Sequence, residues 1–171
     1  KVMMLCEGEQ DNARYPFISD LSGAVPTTAV KAIDLAPLTN RYVSKAWWSP
    51  DSTHILFTGD LGTVDNADEL YMADVSGTLP ATLHTLAPTV STSQEMYTSP
   101  YFGAVFSLDM QKVFYIGDFD VNGYYELYQV TIGNGPPFQT VKVHPPFTMS
   151  SQDVYNMRVS PDGSKLAATV Y

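Results

Sequence analysis

Short segments in which apolar residues alternate with polar ones follow one another along the whole chain, and clusters of Pro and Gly separate them. Alternation with a period of two residues is typical of β-strands, because successive side chains of a strand point to opposite faces of the sheet. No segment shows a long apolar period of 3.6 residues, so we expect little helix. The pattern predicts four kinds of strand, which we letter A to D in the order in which they recur.

The predicted strands of each kind lie at regular intervals along the sequence. The A strands are predicted at residues 42–48, 101–106 and 154–159. The B strands are predicted at residues 2–6, 55–58, 113–116 and 166–170. The C strands are predicted at residues 15–20, 69–74 and 124–130. The D strands, whose pattern is weaker, are predicted at residues 28–33, 81–86 and 139–143.

Two blocks of sequence repeat in the same order, which indicates a protein built from internal repeats. Alignment on strand B gives four copies, which begin at residues 1, 54, 112 and 165. In the second block, residues 17–28 match residues 71–82 almost position by position, and residues 127–133 form a looser third copy.

A Ser-Pro-Asp turn joins the predicted strands A and B. It occurs at residues 49–51 and 160–162, and a degenerate Ser-Leu-Asp copy occurs at residues 107–109. Pro fixes φ at the first central position of such a turn, and Asp can accept hydrogen bonds from nearby backbone. A catalytic acid is needed only once, whereas this acid recurs at one repeat position. We therefore interpret it as a turn-stabilising residue.

The Trp-Ser-Pro-Asp at residues 48–51, the Glu-Leu-Tyr at 69–71 and the Asp-Val-Ser-Gly at 74–77 resemble TolB-type repeats, which are distant relatives of the WD-type blade. The resemblance covers nearly the whole chain. It implies an all-β fold made of β-propeller blades, each of four antiparallel strands. Such repeats occur in many bacterial envelope and secreted proteins, so it also implies a periplasmic or extracellular location.

The predicted strands form a first unit without strand A, two complete units, and a last unit with strands A and B alone. We expect a single partial β-propeller over residues 1–171, with blade repeats at about residues 1–37, 38–88, 89–146 and 147–171. Propellers close with at least about four blades, and only two of these units are complete. The fold is therefore predicted to be an incomplete arc of a larger ring, and the chain a fragment or the ordered portion of something longer.

The net charge of −9 and the pI near 4.5 argue against nucleic acid or anionic lipid as the main partner, because both attract clustered Lys and Arg. The apolar runs are far shorter than the ~20 residues of a membrane helix, so no membrane span is expected. The single Cys6 excludes an internal disulfide and a cysteine-rich metal site. The expected partners are other protein chains or the missing blades of the same protein.

The segment 117–126 is the strongest candidate for a metal site, because oxygen-bearing residues alternate along it with a Gly at the sixth loop position. The candidate calcium ligands are Asp118, Asp120, Asn122, the carbonyl of Tyr124, and Glu126. Gln129 stands where an EF-hand has its bidentate Glu. The alternative is an Asn-Gly hairpin with solvated acids. No other cofactor is expected.

The histidines His54, His84 and His144 occupy non-equivalent repeat positions and lack the spacing of metal ligands. The sequence contains neither a Gly-x-Ser-x-Gly motif nor a phosphate-binding glycine loop. No catalytic residue is therefore assigned, and whether the chain belongs to an enzyme stays open.

Several aromatic residues could line a groove for carbohydrate or peptide, although their alternation along strands favours packing between blades. The set comprises Trp47, Trp48, Tyr101, Phe106, Tyr115 and Tyr128. Neighbouring residues of a strand face opposite sides, so we expect at least one of the two tryptophans to pack between blades.

A repeat scaffold without a catalytic constellation favours a noncatalytic β-propeller module for protein–protein or ligand binding in a bacterial envelope or extracellular assembly. The alternative is the propeller portion of an enzyme with its catalytic residues outside this segment. A prolyl-oligopeptidase-like serine peptidase and a polysaccharide lyase or hydrolase are the two enzyme types considered, because propellers host binding modules and enzymes alike.

Overall fold

The computed structural model describes residues 1–7, 14–25, 27–34, 41–62, 67–87, 96, 103–147 and 152–171. These described residues form thirteen strands and no helix. The strands are β1 Val2–Glu7, β2 Arg14–Ser19, β3 Val30–Lys31, β4 Tyr42–Trp48, β5 His54–Asp60, β6 Glu69–Asp74, β7 Leu83–Thr85, β8 Ala104–Phe106, β9 Lys112–Gly117, β10 Glu126–Thr131, β11 Gln139–Lys142, β12 Val154–Val159 and β13 Leu166–Val170.

The strands assemble into four antiparallel sheets in which neighbours in sequence are neighbours in space. Blade one has the order β1-β2-β3, and blade two has the order β4-β5-β6-β7. Blade three has the order β8-β9-β10-β11, and blade four consists of β12 and β13. The fold is therefore all-β, with propeller-type blades of up to four antiparallel strands, as the repeats predict.

Four of the strands, β4, β6, β12 and β13, have the predicted bounds. The third C strand begins at Glu126 instead of residue 124, because the Tyr124 amide donates to the Val121 carbonyl in a turn. Strands D are shorter than predicted, with two residues in β3 and three in β7. Their sequence pattern is also weaker than that of the other strands.

Parts of two predictions lie outside the described residues. Residues 101 and 102 of the second predicted A strand are among them, and the described strand begins at Ala104. The predicted blade boundaries at 37–38 and at 88–89 also fall there, so the boundaries stay predictions.

Both faces of blade two are buried, each against a neighbouring blade. Ile55 and Phe57 belong to the cluster shared with blade one, whereas Leu56 belongs to the cluster shared with blade three. A third cluster around Ile116 and Val154 joins blades three and four. Alternation with period two therefore places apolar residues on both faces of the central sheets, and the core consists of layers between blades.

The adjacent residues Trp47 and Trp48 illustrate this packing on both faces of blade two. Trp48 packs against the cluster between blades one and two, and Trp47 packs against the cluster between blades two and three. Both side chains are half-buried. The expectation that at least one of them packs between blades is confirmed.

The outer face of blade one differs from the equivalent face of blade two. Val2 and Met4, which occupy the repeat positions of Ile55 and Phe57, are 37% and 39% exposed, whereas Ile55 and Phe57 are fully buried. Among the described residues, no helix is long and apolar enough to cross a membrane.

Candidate functional site

The turn between strands A and B in blade two is held by one serine and one aspartate. The Ser49 hydroxyl donates to Asp51 Oδ1 at 2.7 Å and accepts from the His54 amide at 2.8 Å. The Thr53 amide also donates to Asp51 Oδ1, at 3.0 Å. These bonds satisfy the turn internally, so the Ser-Pro-Asp sequence specifies its geometry.

Blades three and four repeat this arrangement. Ser107 Oγ donates to Asp109 Oδ1 at 2.6 Å, and Ser160 Oγ donates to Asp162 Oδ1 at 2.5 Å. Each turn has a left-handed residue directly after the aspartate; these are Ser52 (φ 60°), Met110 (φ 57°) and Gly163 (φ 71°). The interpretation of the recurring acid as a turn residue agrees with these contacts. We call Asp51, Asp109 and Asp162 the turn aspartates.

The turn aspartates keep their negative charge far into the acid range. The hydroxyl of Ser49 lowers the pKa of Asp51 to about 2, and the Thr53 amide adds to the effect. The hydroxyl of Ser160 likewise lowers the pKa of Asp162 to about 2. The hydroxyl of Ser107 also lowers the pKa of Asp109. All three carboxylates are exposed and ionised at neutral pH.

An apolar groove with a cavity volume of about 330 Å³ lies beside these turns. It is formed by the ends of the A strands of blades two, three and four together with the residues that follow them. We call it the strand-A groove. Its lining residues are Trp47, Pro50, Ala104, Val105, Phe106, Leu108, Met157, Arg158, Val159, Ser160 and Pro161.

The electrostatics of the strand-A groove are uneven. Arg158, whose side chain is exposed, is the one charged residue among the described residues that line it. Three lining residues, Pro50, Leu108 and Pro161, each directly precede a turn aspartate in the chain. An apolar wall with one guanidinium is thus formed in part by residues that precede the turn aspartates in the chain.

The opposite ends of the B strands carry the predicted calcium loop. Asp118 is buried, and its Oδ2 accepts a hydrogen bond of 3.0 Å from the Gly123 amide. Gly123 has φ +82°, the left-handed conformation that a hairpin of this kind requires. Asn122 is exposed, and Tyr124 donates its amide to the turn.

Lys142 on β11 brings two of the candidate calcium ligands together. Its Nζ lies 2.6 Å from Asp120 Oδ2 and 2.8 Å from Glu126 Oε1. The hydrogen bonds to Asp120 and to Glu126 raise the pKa of Lys142. The Tyr128 hydroxyl donates to the other oxygen of Glu126 at 2.7 Å. Burial, and then this bond to the carboxylate, raise the pKa of Tyr128.

Calcium binding by this loop stays a prediction. Within the described part of the chain, no group of three or more His, Cys, Asp or Glu side chains is arranged to hold a metal ion. Sequence reasoning missed Lys142, whose side chain forms ion pairs with both Asp120 and Glu126. Lys142 lies directly opposite Tyr128 in the β10–β11 ladder. The register of strand C against strand D would have revealed this contact, because it places Lys142 opposite Tyr128.

Blade two repeats the Tyr–Glu pair, and its basic residue contacts a different acid. Tyr71 donates its hydroxyl to Glu69, as Tyr128 does to Glu126. The position of Lys142 is taken by Thr85, which lies opposite Tyr71. The basic residue at this end of blade two is Arg41, whose Nη1 lies 2.6 Å from Asp60 Oδ1.

The three histidines lie in separate contacts. The ring of His54 packs edge-on against Phe106, and the ring of His84 packs edge-on against Phe138. The ring of His144 stacks on Phe147.

The aromatic candidates divide between core and groove. Tyr115 and Tyr128 stack on each other inside blade three, with ring centroids 5.5 Å apart. Trp47 and Phe106 line the strand-A groove, and Phe106 is 2% exposed. Tyr101 lies outside the described residues.

Comparisons with known proteins support the fold. No protein-family model matches the sequence, and no curated protein matches it. A similar solved structure is the crystal structure of TolB from Acinetobacter baumannii, with a TM-score of 0.52 and 20% sequence identity. The match covers 91% of this chain and 31% of that one. Together with the four antiparallel sheets, it shows that the chain has a partial TolB-like β-propeller fold.

Proposed function

We propose that this chain is a noncatalytic β-propeller module that binds another protein or a ligand, and that the strand-A groove is its binding surface. The TolB-like fold supports a binding module. The observation that carries the proposal is the groove itself, because it collects apolar side chains from three blades at one exposed place.

The composition of the groove suits recognition. Its volume of about 330 Å³ is at the lower end of the ~300–1,000 Å³ usual for ligand pockets. Trp47 supplies a large, rigid apolar surface with a single N–H donor. Pro50 and Pro161 add apolar surface at little cost in conformational entropy. An apolar side chain of a partner would be desolvated there, and this favours binding.

The noncatalytic part of the proposal is supported by the use of the recurring acids. Each turn aspartate accepts hydrogen bonds from its own turn, and Asp118 accepts one from the Gly123 amide. These contacts support a structural role for the acids. No observation among the described residues favours the enzymatic alternative.

The resemblance to TolB-type repeats supports a place in a bacterial envelope or extracellular assembly, with a periplasmic or extracellular location. The partners proposed are other protein chains or further blades of the same protein. The exposed Val2 and Met4 support the second kind, because their counterparts in blade two are covered by a neighbouring blade.

A capped peptide with a central Leu-Phe pair and Ser-Gly flanks tests the proposal. We expect it to perturb the Trp47 indole and the amides of Ala104 and Met157 in ¹H–¹⁵N spectra. Leu108→Ser should weaken binding, because Leu108 lines the groove. The matched control is Val141→Ser, since Val141 and Leu108 are similarly exposed, at 51% and 47%, and Val141 lies on β11 away from the groove.

Two outcomes would contradict the proposal. One is the absence of any perturbation at the groove at millimolar peptide. The other is an equal loss of binding in both serine variants, which would place the contact elsewhere.

A further inference from the structure

The charges around the strand-A groove narrow the choice of partner. The three turn aspartates follow Pro50, Leu108 and Pro161, which line the groove on three blades. Each carboxylate is fixed by two or more hydrogen bonds from its own turn. Three negative charges therefore lie in the turns that also supply lining residues of the groove.

The three turn aspartates share the same ionisation state. All three are exposed, and hydrogen bonds from serine hydroxyls lower the pKa of each one. They stay ionised in any neutral solution, and the chain as a whole carries a net charge of −9. A cationic segment would thus be attracted from a distance and then meet opposite charges next to the groove.

We propose that the strand-A groove binds an extended peptide segment of another protein, in which an apolar anchor side chain is flanked by Lys or Arg residues. This inference rests on the proposed function and deepens it. The anchor enters the groove beside Trp47, and the flanking cations pair with the turn aspartates. We choose basic flanks because their charge is complementary to that of the three carboxylates.

The size of the groove limits what can enter it. The cavity of about 330 Å³ is small, so it takes one large anchor side chain and not a folded element. Anchor residues of this kind commonly carry much of the binding energy in protein interfaces.

Three capped peptides with the same Leu-Phe centre test the inference by calorimetric titration. Their flanks are two Lys, two Glu or Ser-Gly on each side. We expect the Lys-flanked peptide to bind about tenfold more tightly than the Ser-Gly peptide, as several exposed ion pairs would allow, and to lose this advantage in high salt. The Glu-flanked peptide should bind more weakly than either.

Asp109→Asn should weaken binding of the Lys-flanked peptide about two- to fivefold, because it removes one charge. The asparagine keeps an oxygen that accepts the hydrogen bonds of Ser107 and Gln111, so the turn is retained. The matched control is Asp20→Asn in blade one. Asp20 also accepts a hydrogen bond within its own loop, at 2.8 Å from the Ser22 amide, and no residue of blade one lines the groove.

The outcomes separate the two proposals. If the Ser-Gly peptide binds at the groove and the Lys flanks give no advantage, the proposed function stands and the charge inference is overturned. A preference for the Glu-flanked peptide overturns the inference in the same way. If none of the three peptides binds, both proposals are overturned. An equal effect of Asp109→Asn and Asp20→Asn would show that only net charge matters, and this would also overturn the inference.

Discussion

The two ends of the blades use acidic residues in opposite ways. At the A–B turns, the turn aspartates are exposed, and their hydrogen-bond donors are hydroxyl and amide groups of the same turn. At the B–C hairpins, Asp60 and Glu126 are buried, and each lies within 2.8 Å of a basic side chain. One end keeps its negative charge facing solvent, whereas the other neutralises it inside the protein.

Burial explains the difference. A buried carboxylate loses much of its hydration, so it is stable only with a cation or several hydrogen bonds. An exposed carboxylate keeps its water and needs neither. Changes at the hairpin end should therefore affect mainly stability, and changes at the turn end should affect mainly binding.

We expect the largest loss of stability from Arg41→Met. It leaves Asp60, which is 4% exposed, without the guanidinium that lies 2.6 Å from it. Removing one partner of a buried ion pair costs about 3 kcal/mol of the free energy of unfolding. Urea unfolding at pH 7 measures this cost. A loss no larger than that of an exposed ion pair would contradict the account of the hairpin end.

Lys142→Thr should have a smaller effect on stability, because it gives blade three the residue that blade two has at Thr85. The side chain of Lys142 is 34% exposed and that of Arg41 is 14% exposed, so solvent screens more of the attraction between Lys142 and its carboxylates. We expect a loss of about 1–2 kcal/mol by urea unfolding, above the value for a fully exposed ion pair. A loss equal to that of Arg41→Met would show that the burial of the basic side chain does not decide the cost of removing it.

The same variant sharpens the calcium prediction. Lys142 Nζ contacts Asp120 and Glu126, so calcium would have to compete with the ammonium group for both carboxylates. We expect calcium to raise the melting temperature of Lys142→Thr more than that of the unmodified protein, because ligand binding stabilises the folded state. The control is the double variant Lys142→Thr/Asp120→Asn. If millimolar calcium changes the melting temperature of neither the unmodified protein nor Lys142→Thr, the loop is a hairpin without a metal.

The smallest effect concerns acid stability at the turn end. The pKa of Asp51 is about 2 in the folded protein and is ordinarily near 3.8, so its contribution is present above pH 4 and is lost as the pH falls toward 2. Ser49→Ala removes the strongest cause of this shift. We expect the NMR titration of Asp51 to move up toward its ordinary value in that variant. An unchanged titration would show that the hydroxyl does not hold the carboxylate.

The blades could be predicted because their signals are local. Alternation within a segment defines a strand, and the Ser-Pro-Asp turn marks where strand A meets strand B. The contacts of Ser49 with Asp51 and His54 lie within six residues of sequence. Strands β3 and β7 have a weaker sequence pattern, and their short length was accordingly not predicted.

The candidate site could be predicted only in part, because it combines residues that are distant in sequence. Trp47, Leu108 and Pro161 meet in one groove, although more than 50 residues separate each from the next. Lys142 reaches Glu126 through the register of two strands. Local patterns report neither the packing of one blade on the next nor such a register.

The most direct test of the central claim is a ¹H–¹⁵N spectrum recorded with and without saturating Lys-flanked peptide. The claim is that the turn end binds a partner while the hairpin end stabilises the fold. We expect the largest shifts at the Trp47 indole and at the amides of Leu108 and Arg158. Largest shifts at Gly123 and Lys142, at the opposite end of the blades, would contradict it.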